Sequence, residues 1–106
     1  MRKSIIMLGT LALLAFSALA VAADHVITQK GRLFSVESIS IKKGDTITFL
    51  NDDTVPHNIL SLSPGSEFNL GSQQPGASTP VTFNTAGEFN VICAIHPRMK
   101  LAVKVE

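Results

Sequence analysis

The chain has 106 residues, nine Lys/Arg against eight Asp/Glu, one Cys, and neither Trp nor Tyr. That length allows one small domain with a single modest core. The near-balanced charge supplies no basic field for a nucleic-acid partner, and a lone cysteine excludes an internal disulfide.

Taken in chain order, the first element is an export signal. Arg2 and Lys3 precede an apolar run from Ile5 to Ala23 that ends in small residues. A basic start, an apolar middle and a small-residue end make a secretory signal peptide. Ala18-Leu19-Ala20, Ala20-Val21-Ala22 and Val21-Ala22-Ala23 are all suitable cleavage contexts, and a cut after Ala23 is preferred because Asp24 opens the polar part. The alternative is a retained membrane anchor, since about 19 apolar residues can just span a bilayer. The division expected is therefore a signal peptide over residues 1–23 and one domain over 24–106. The mature part carries seven Lys/Arg against eight Asp/Glu, a net charge of −1, and is expected to be monomeric, touching a membrane only if the segment is retained.

The rest reads as strands. Val26–Gln29 is a short candidate. Phe34 and Val36, then Ile39 and Ile41, alternate with polar residues, and Lys43-Gly44-Asp45 is a turn. Thr46–Leu50 alternates and is rich in β-branched residues, and Asn51–Pro56 is a loop. His57–Leu62 is a further run, opened by His57, and Ser63–Thr79 is irregular. Val81–Asn84, Glu88–Cys93 and Leu101–Val105 follow, the first two joined by the turn Thr85-Ala86-Gly87. Short period-two runs separated by Gly, Pro, Asn and Asp predict an all-β sandwich or barrel. Its core aromatics must come from Phe34, Phe49, Phe68, Phe83 and Phe89.

The chemistry concentrates near the C-terminus. In Phe89–Cys93, residues 89, 91 and 93 share one strand face, so Cys93 points inward at the strand end. An unpaired Cys in an exported chain is prone to oxidation unless buried or coordinated. Cys93-Ala94-Ile95-His96-Pro97-Arg98-Met99 sets a thiol, an imidazole and a thioether at steps of three residues. His57, 36 residues earlier, can complete the set only if the fold delivers it. Two His, one Cys and a weak axial Met match a blue-copper electron-transfer site. Thiolate and thioether favour Cu(I), and imidazole also suits Cu(II). Structural zinc takes four strong ligands, and a thioether is a poor fourth. Taken singly, each residue has an ordinary role: a core or surface His, an inert buried Cys, a core Met.

Pro56-His57-Asn58 and the Cys93–Met99 segment resemble the plastocyanin and amicyanin branch of the cupredoxins. The short loop with Pro after the second His is most similar to amicyanin. Gly87-Glu88-Phe89 leading to Cys93 resembles the family's strand before its copper Cys, and the likeness covers residues 34–106. The resemblance implies a cupredoxin-like Greek-key β-sandwich of about seven or eight strands. It implies one copper ion bound by His57, Cys93 and His96 equatorially, with Met99 axial. Asn58 would donate its backbone N–H to the Cys93 sulfur and tie two loops through its side chain. His96 would be the exit for electrons, with Ile95 and Pro97 in an apolar docking surface around it. A dehydrogenase or a c-type cytochrome is the implied partner, and the periplasm the implied location. Ile92 stands where the family often has an aromatic or His, Phe89 replaces a Tyr, and Ser63–Thr79 diverges.

Three functions compete on the residues. A diffusible one-electron carrier leads; a copper carrier or store without redox turnover is the alternative. An enzyme is not expected, because a nucleophilic Cys needs a base and a substrate cleft. A cut after Ala22 would also create an Ala23-Asp24-His25 terminus able to bind Cu(II). Lys42, Lys43, Arg98, Lys100 and Lys104 read as a solvated surface, with Arg98 and Lys100 flanking Met99.

Overall fold

The computed structural model describes residues 21–106, so the segment read as the signal's apolar run lies outside the described residues up to Ala20. Among the described residues no helix is long and apolar enough to cross a membrane. Nine strands form among the described residues: β1 (Asp24–Lys30), β2 (Leu33–Phe34), β3 (Ser38–Ile41), β4 (Thr46–Asn51), β5 (Ile59–Ser61), β6 (Phe68–Asn69), β7 (Ser78–Thr82), β8 (Gly87–Cys93) and β9 (His96–Val105). Two sheets face each other, ordered β2-β1-β4-β7 and β3-β9-β8-β5-β6. This is the cupredoxin-like all-β sandwich. β2 and β6 are only two residues long, and the other strands carry the architecture.

Alternation drives the assembly. In β9, Met99, Leu101, Val103 and Val105 turn inward between exposed neighbours; in β4, Ile47, Phe49 and Asn51 turn inward, alternating with half-buried ones. The inward faces meet in one core that includes Ile27, Ile41, Ile47, Phe49, Ile59, Val91 and Leu101. A file of rings, Phe34, Phe49, Phe68, Phe83 and Phe89, runs through it at centroid spacings of 6.3, 6.2, 6.1 and 6.3 Å. Each buried ring contributes about 1.5–3 kcal/mol by leaving water. Phe68 is only half-buried; the other four are buried, as expected. Gly87 has φ 148°, and a Cβ there would sit 3.2 Å from the Phe89 ring, so the residue opening β8 must be small and conformationally free.

Several boundaries differ from the sequence expectation. The two alternating pairs between Phe34 and Ile41 belong to strands in different sheets: β2 pairs with β1, and β3 pairs parallel with β9. The chain crosses between sheets at Ser35–Glu37, which leaves Val36 41% exposed. Gly31 and Arg32, at φ 61° and 59°, turn β1 into β2; two positive φ values in succession are the backbone of a type I′ hairpin turn. The irregular segment Ser63–Thr79 contains β6 and the start of β7. β9 begins at His96, five residues before the expected Leu101.

The topology also sorts the two ends of the sandwich. β1 and β4 run parallel, pairing Asp24 with Thr46 at one end and Gln29 with Asn51 at the other. The Asn51 end leads into the loop before His57. The Asp24 end is closed by Asp45, whose carboxylate accepts from the Ala23, His25 and Lys42 nitrogens at 2.9, 3.0 and 3.0 Å. His25 is engaged there, and Asp24 and His25 lie in the β-ladder opposite Thr46 and Ile47.

Candidate metal centre

Three segments converge at the Asn51 end. His57 does not open a strand as expected: it lies two residues before β5, in an isolated bridge to Gln73. Its N–H donates to the Gln73 carbonyl at 3.0 Å, and the Gln73 N–H returns to the His57 carbonyl at 2.7 Å. Gln73 is itself pinned, donating from Nε2 to the Phe49 and Ala77 carbonyls at 2.7 and 3.1 Å. Buried Asn51 donates from Nδ2 to the carbonyls of Val55 and Gln73 at 3.0 and 2.9 Å. Two buried amides therefore hold the His57 backbone on both sides, and each is fixed by bonds a buried polar group must make.

Cys93 ends β8, facing inward as the alternation predicted, at 2% exposure. The ladder from β8 to β9 then slips. Ile92 pairs with Lys100, yet the next residue, Cys93, pairs with His96. Pro97, Arg98 and Met99 are thus the extra residues of a bulge, a device that re-aims side chains next to functional sites. The bulge has two results. It lets His96 fold back onto Cys93 across the Ala94-Ile95 turn, and it keeps Met99 on the inward face, fully buried beside the strand end that carries Cys93. Most of the segment expected as a free loop is therefore sheet.

The donor atoms meet. His57 Nδ1 and His96 Nδ1 lie 3.0 Å apart, and each faces Cys93 Sγ, at 3.7 and 3.6 Å respectively. Taking zinc's bond lengths as the scale, about 2.0 Å to nitrogen and 2.3 Å to sulfur, a trigonal centre needs about 3.5 Å between nitrogens and about 3.7 Å between nitrogen and sulfur. The triangle formed by His57, Cys93 and His96 is close to that size. Among the described residues it is the group of three His, Cys or acidic side chains that could hold a metal ion. Its donors are soft sulfur and borderline nitrogen, and buried Met99 adds a second, weaker sulfur. Such a set fits copper.

The surroundings match in part. Asn58 donates its backbone N–H to Cys93 Sγ at 3.3 Å, a bond that orients the sulfur and withdraws charge from it. The tie between loops is made by the backbone, with the Ala94 N–H donating to the Asn58 carbonyl at 2.9 Å. The Asn58 side chain does not make it: Oδ1 is buried without a partner. The loop before His57 also holds a group that the sequence reading passed over. Asp53 Oδ2 lies 3.1 Å from His57 Nε2 and accepts the Arg32 N–H at 2.8 Å. With Nδ1 aimed at the donor triangle, Nε2 carries the proton and Asp53 accepts it. The available signal was an acid four residues before a candidate ligand, the reach of one turn of loop. The Arg32 amide, then the Thr54 amide and the His57 ring, hold the Asp53 carboxyl down at about 2. Loss of water around the His96 ring, then the nearby His57 and Arg32 charges, lower its pKa from the usual 6.5, which keeps a nitrogen lone pair free for a metal.

His57 is fully buried, and His96 is the half-buried member that reaches the surface. Around it Ile95 is 54% exposed and Pro97 is exposed.

Comparison with known proteins places this arrangement. The chain is 33% identical over 76 residues to amicyanin-alpha of Methylorubrum extorquens, across 69% of this chain and 64% of that protein. It therefore spans a little under two thirds of that relative's length. It is 32% identical over 73 residues to plastocyanin of Scenedesmus fuscus, across 60% of this chain and 74% of that protein. A solved purple cupredoxin of Nitrosopumilus maritimus superposes with a TM-score of 0.69 at 27% identity, covering 78% of this chain and all of that one. The profile of the copper-binding proteins of the plastocyanin/azurin family matches residues 21–106, and the chain belongs to that family.

Proposed function

We propose that this protein is an exported carrier of single electrons in which His57, Cys93 and His96 would hold one copper ion, with Met99 as a weaker fourth donor. The observation that carries the reading is the triangle of two Nδ1 atoms and one Sγ with edges of 3.0, 3.6 and 3.7 Å. A copper ion held there supplies one-electron chemistry between Cu(II) and Cu(I). The residues do the rest. Bonded amides fix the backbone of His57, and the ladder fixes Cys93 and His96, so the donors keep one geometry in both oxidation states. Buried Met99 and the core exclude water. The half-buried His96 ring joins the centre to the surface, where Ile95 and Pro97 give a partner an apolar place to dock. Three of the four donor residues, His57, Cys93 and Met99, are buried, which leaves a substrate little access and supports a carrier over an enzyme.

The partner class in this reading is a dehydrogenase or a c-type cytochrome, and the location is the periplasm after removal of residues 1–23; retention of that segment would anchor the domain on the periplasmic face. The alternative of a copper carrier or store is less well supported, because an ion enclosed by buried His57, Cys93 and Met99 is poorly placed for handover.

The test is addition of Cu(II) to the purified mature domain. Intense blue or purple colour from thiolate-to-copper charge transfer is expected, and Cys93→Ser abolishes it. A colourless wild-type product, or Cu(I) lost at once to a chelator, defeats the reading.

A further inference from the structure

The surface next to His96 is not only apolar. A groove of about 440 Å³ is lined by Gly31, Arg32, Leu33, His96, Pro97 and Arg98. It joins a second groove that shares Leu33 and Arg98 and contains Lys100 and Glu37. Leu33 is 57% exposed, an apolar side chain left in water at the tip of the β1–β2 hairpin. Two arginines far apart in sequence, Arg32 and Arg98, thus line one groove together with His96, whose ring joins the donor triangle to solvent.

The sequence distance is what hides this. Arg32 is 64 residues before His96, and only the hairpin brings it across. The hairpin is held in place: Arg32 sits at φ 59°, unusual for a residue with a side chain, and its N–H is anchored on Asp53. That anchor also occupies the one carboxylate within reach of His57. Asp53 is committed to the Arg32 amide, the Thr54 amide and the His57 ring. Of the acids on this face, Glu37 alone lines the adjoining groove. The mature chain carries a net charge of −1, so its docking face has the opposite sign to the molecule as a whole.

We infer that the groove bounded by Arg32 and Arg98 is the recognition surface for an acidic redox protein, one that sets carboxylates around its own exposed cofactor edge. This rests on the electron-carrier reading and adds the partner's charge to it. Leu33, Ile95 and Pro97 supply the contact that excludes water, and the two arginines supply orientation. Fork-shaped guanidinium groups pair carboxylates in two-point contacts that lysines do not. A local field of this kind raises encounter rates about 10- to 1000-fold at low salt and fades as salt rises.

Two charged probes test this without the natural partner. The redox-inert anion hexacyanocobaltate(III) is titrated into isotope-labelled protein, with and without copper, and amide shifts are mapped. They are expected at Gly31–Leu33, Ile95, His96 and Arg98, whereas the cation hexaamminecobalt(III) leaves those amides unmoved. In the second experiment the copper-loaded, reduced protein gives one electron to hexacyanoferrate(III), which becomes hexacyanoferrate(II) with no proton moved. Its rate constant should fall about tenfold as salt rises from low to physiological strength. The net charge alone predicts the reverse trend, because two anions repel less in salt. Arg32→Asn with Arg98→Gln, Asn being tolerated at positive φ, should remove both effects. Lys42→Gln with Lys43→Gln changes the net charge equally at the far end of the sandwich and should leave both intact.

Anion shifts elsewhere on the protein, a rate that rises with salt, or equal effects of the two double variants would overturn the inference. Absence of a coloured copper site would instead strike the electron-carrier reading, and the anion map of the copper-free protein would still decide this one.

Discussion

The His57 ring is held from both sides: Nδ1 faces Cys93 and His96, while Nε2 donates to Asp53 Oδ2 at 3.1 Å. The same carboxylate anchors the turn that bears Arg32. One side chain therefore sets the tautomer of a proposed ligand and the position of a surface hairpin. A carboxylate behind a ligating histidine fixes ring orientation and raises its basicity.

Asp53→Ala should weaken copper binding by about 10- to 100-fold. It should also raise the reduction potential, since loss of a nearby negative charge favours Cu(I). Asp53→Asn keeps an acceptor, so its affinity loss should be smaller while the rise in potential remains. Copper titration against a competing chelator and voltammetry measure the two effects. Unchanged values in both variants would show that Asp53 only anchors the hairpin.

Met99→Gln exchanges a thioether for a harder oxygen donor at a fully buried position. Oxygen favours Cu(II) over Cu(I), so the potential should fall while the colour persists. Met99→Leu should move it the other way. If neither variant shifts the potential, Met99 is a core residue and not a donor.

Asp45 closes the end of the sandwich remote from the metal centre. Its carboxyl is lowered from 3.8 to about 2, chiefly by the His25 side chain and then by the Ala23 and Lys42 amides; the His25 and Lys42 contacts stay with the domain once residues 1–23 are removed. A depressed carboxyl stabilises the fold above its unfolded pKa, and that stability is lost as pH falls toward the folded value. The window is therefore between about pH 4 and pH 2. Asp45→Asn should be less stable than wild type near neutrality and lose less on acidification through that window. Urea midpoints across the range measure it, and Asp53, also held at about 2, should leave the variant a residual acid slope. Parallel curves for the two proteins would refute the role.

Gln29 faces inward at the metal end of β1 with 0% exposure, and neither its Nε2 nor its Oε1 has a partner among the described residues. A buried amide without hydrogen bonds costs about 1–3 kcal/mol. Gln29→Leu or Gln29→Met should raise the unfolding free energy by about 1 kcal/mol, read from denaturant midpoints. A loss of stability would mean that the amide holds a buried water.

Much of the fold was legible along the chain because alternation and turn chemistry are local. β4 and β8 were bounded to within about a residue by β-branched alternation and Gly-containing turns. The β2–β3 break leaves only a one-residue slip in the alternation, between Val36 and Ile39, and such a slip does not say that the chain changes sheets there. β6 was hidden because a two-residue strand leaves no period at all. In the centre, Cys93, His96 and Met99 stood out as a spaced set of donors. Asp53, Asn51 and Gln73 did not, since an acid or amide in a loop is usually a solvated turn residue.

What the sequence alone determined is the chemistry: two imidazoles, one thiolate and one thioether, three of them within seven residues of one strand end. Such donors are chosen by residue identity, which is written directly in the chain. What only the tertiary structure decided is where they meet and what stands around them. The bulge at Pro97–Met99 turns a loop motif into sheet, the Gln73 bridge delivers His57 across 36 residues, and the hairpin carries Arg32 to the mouth of the site. These depend on backbone pairing between segments distant in sequence, and the register of such pairs is set by the whole core packing at once.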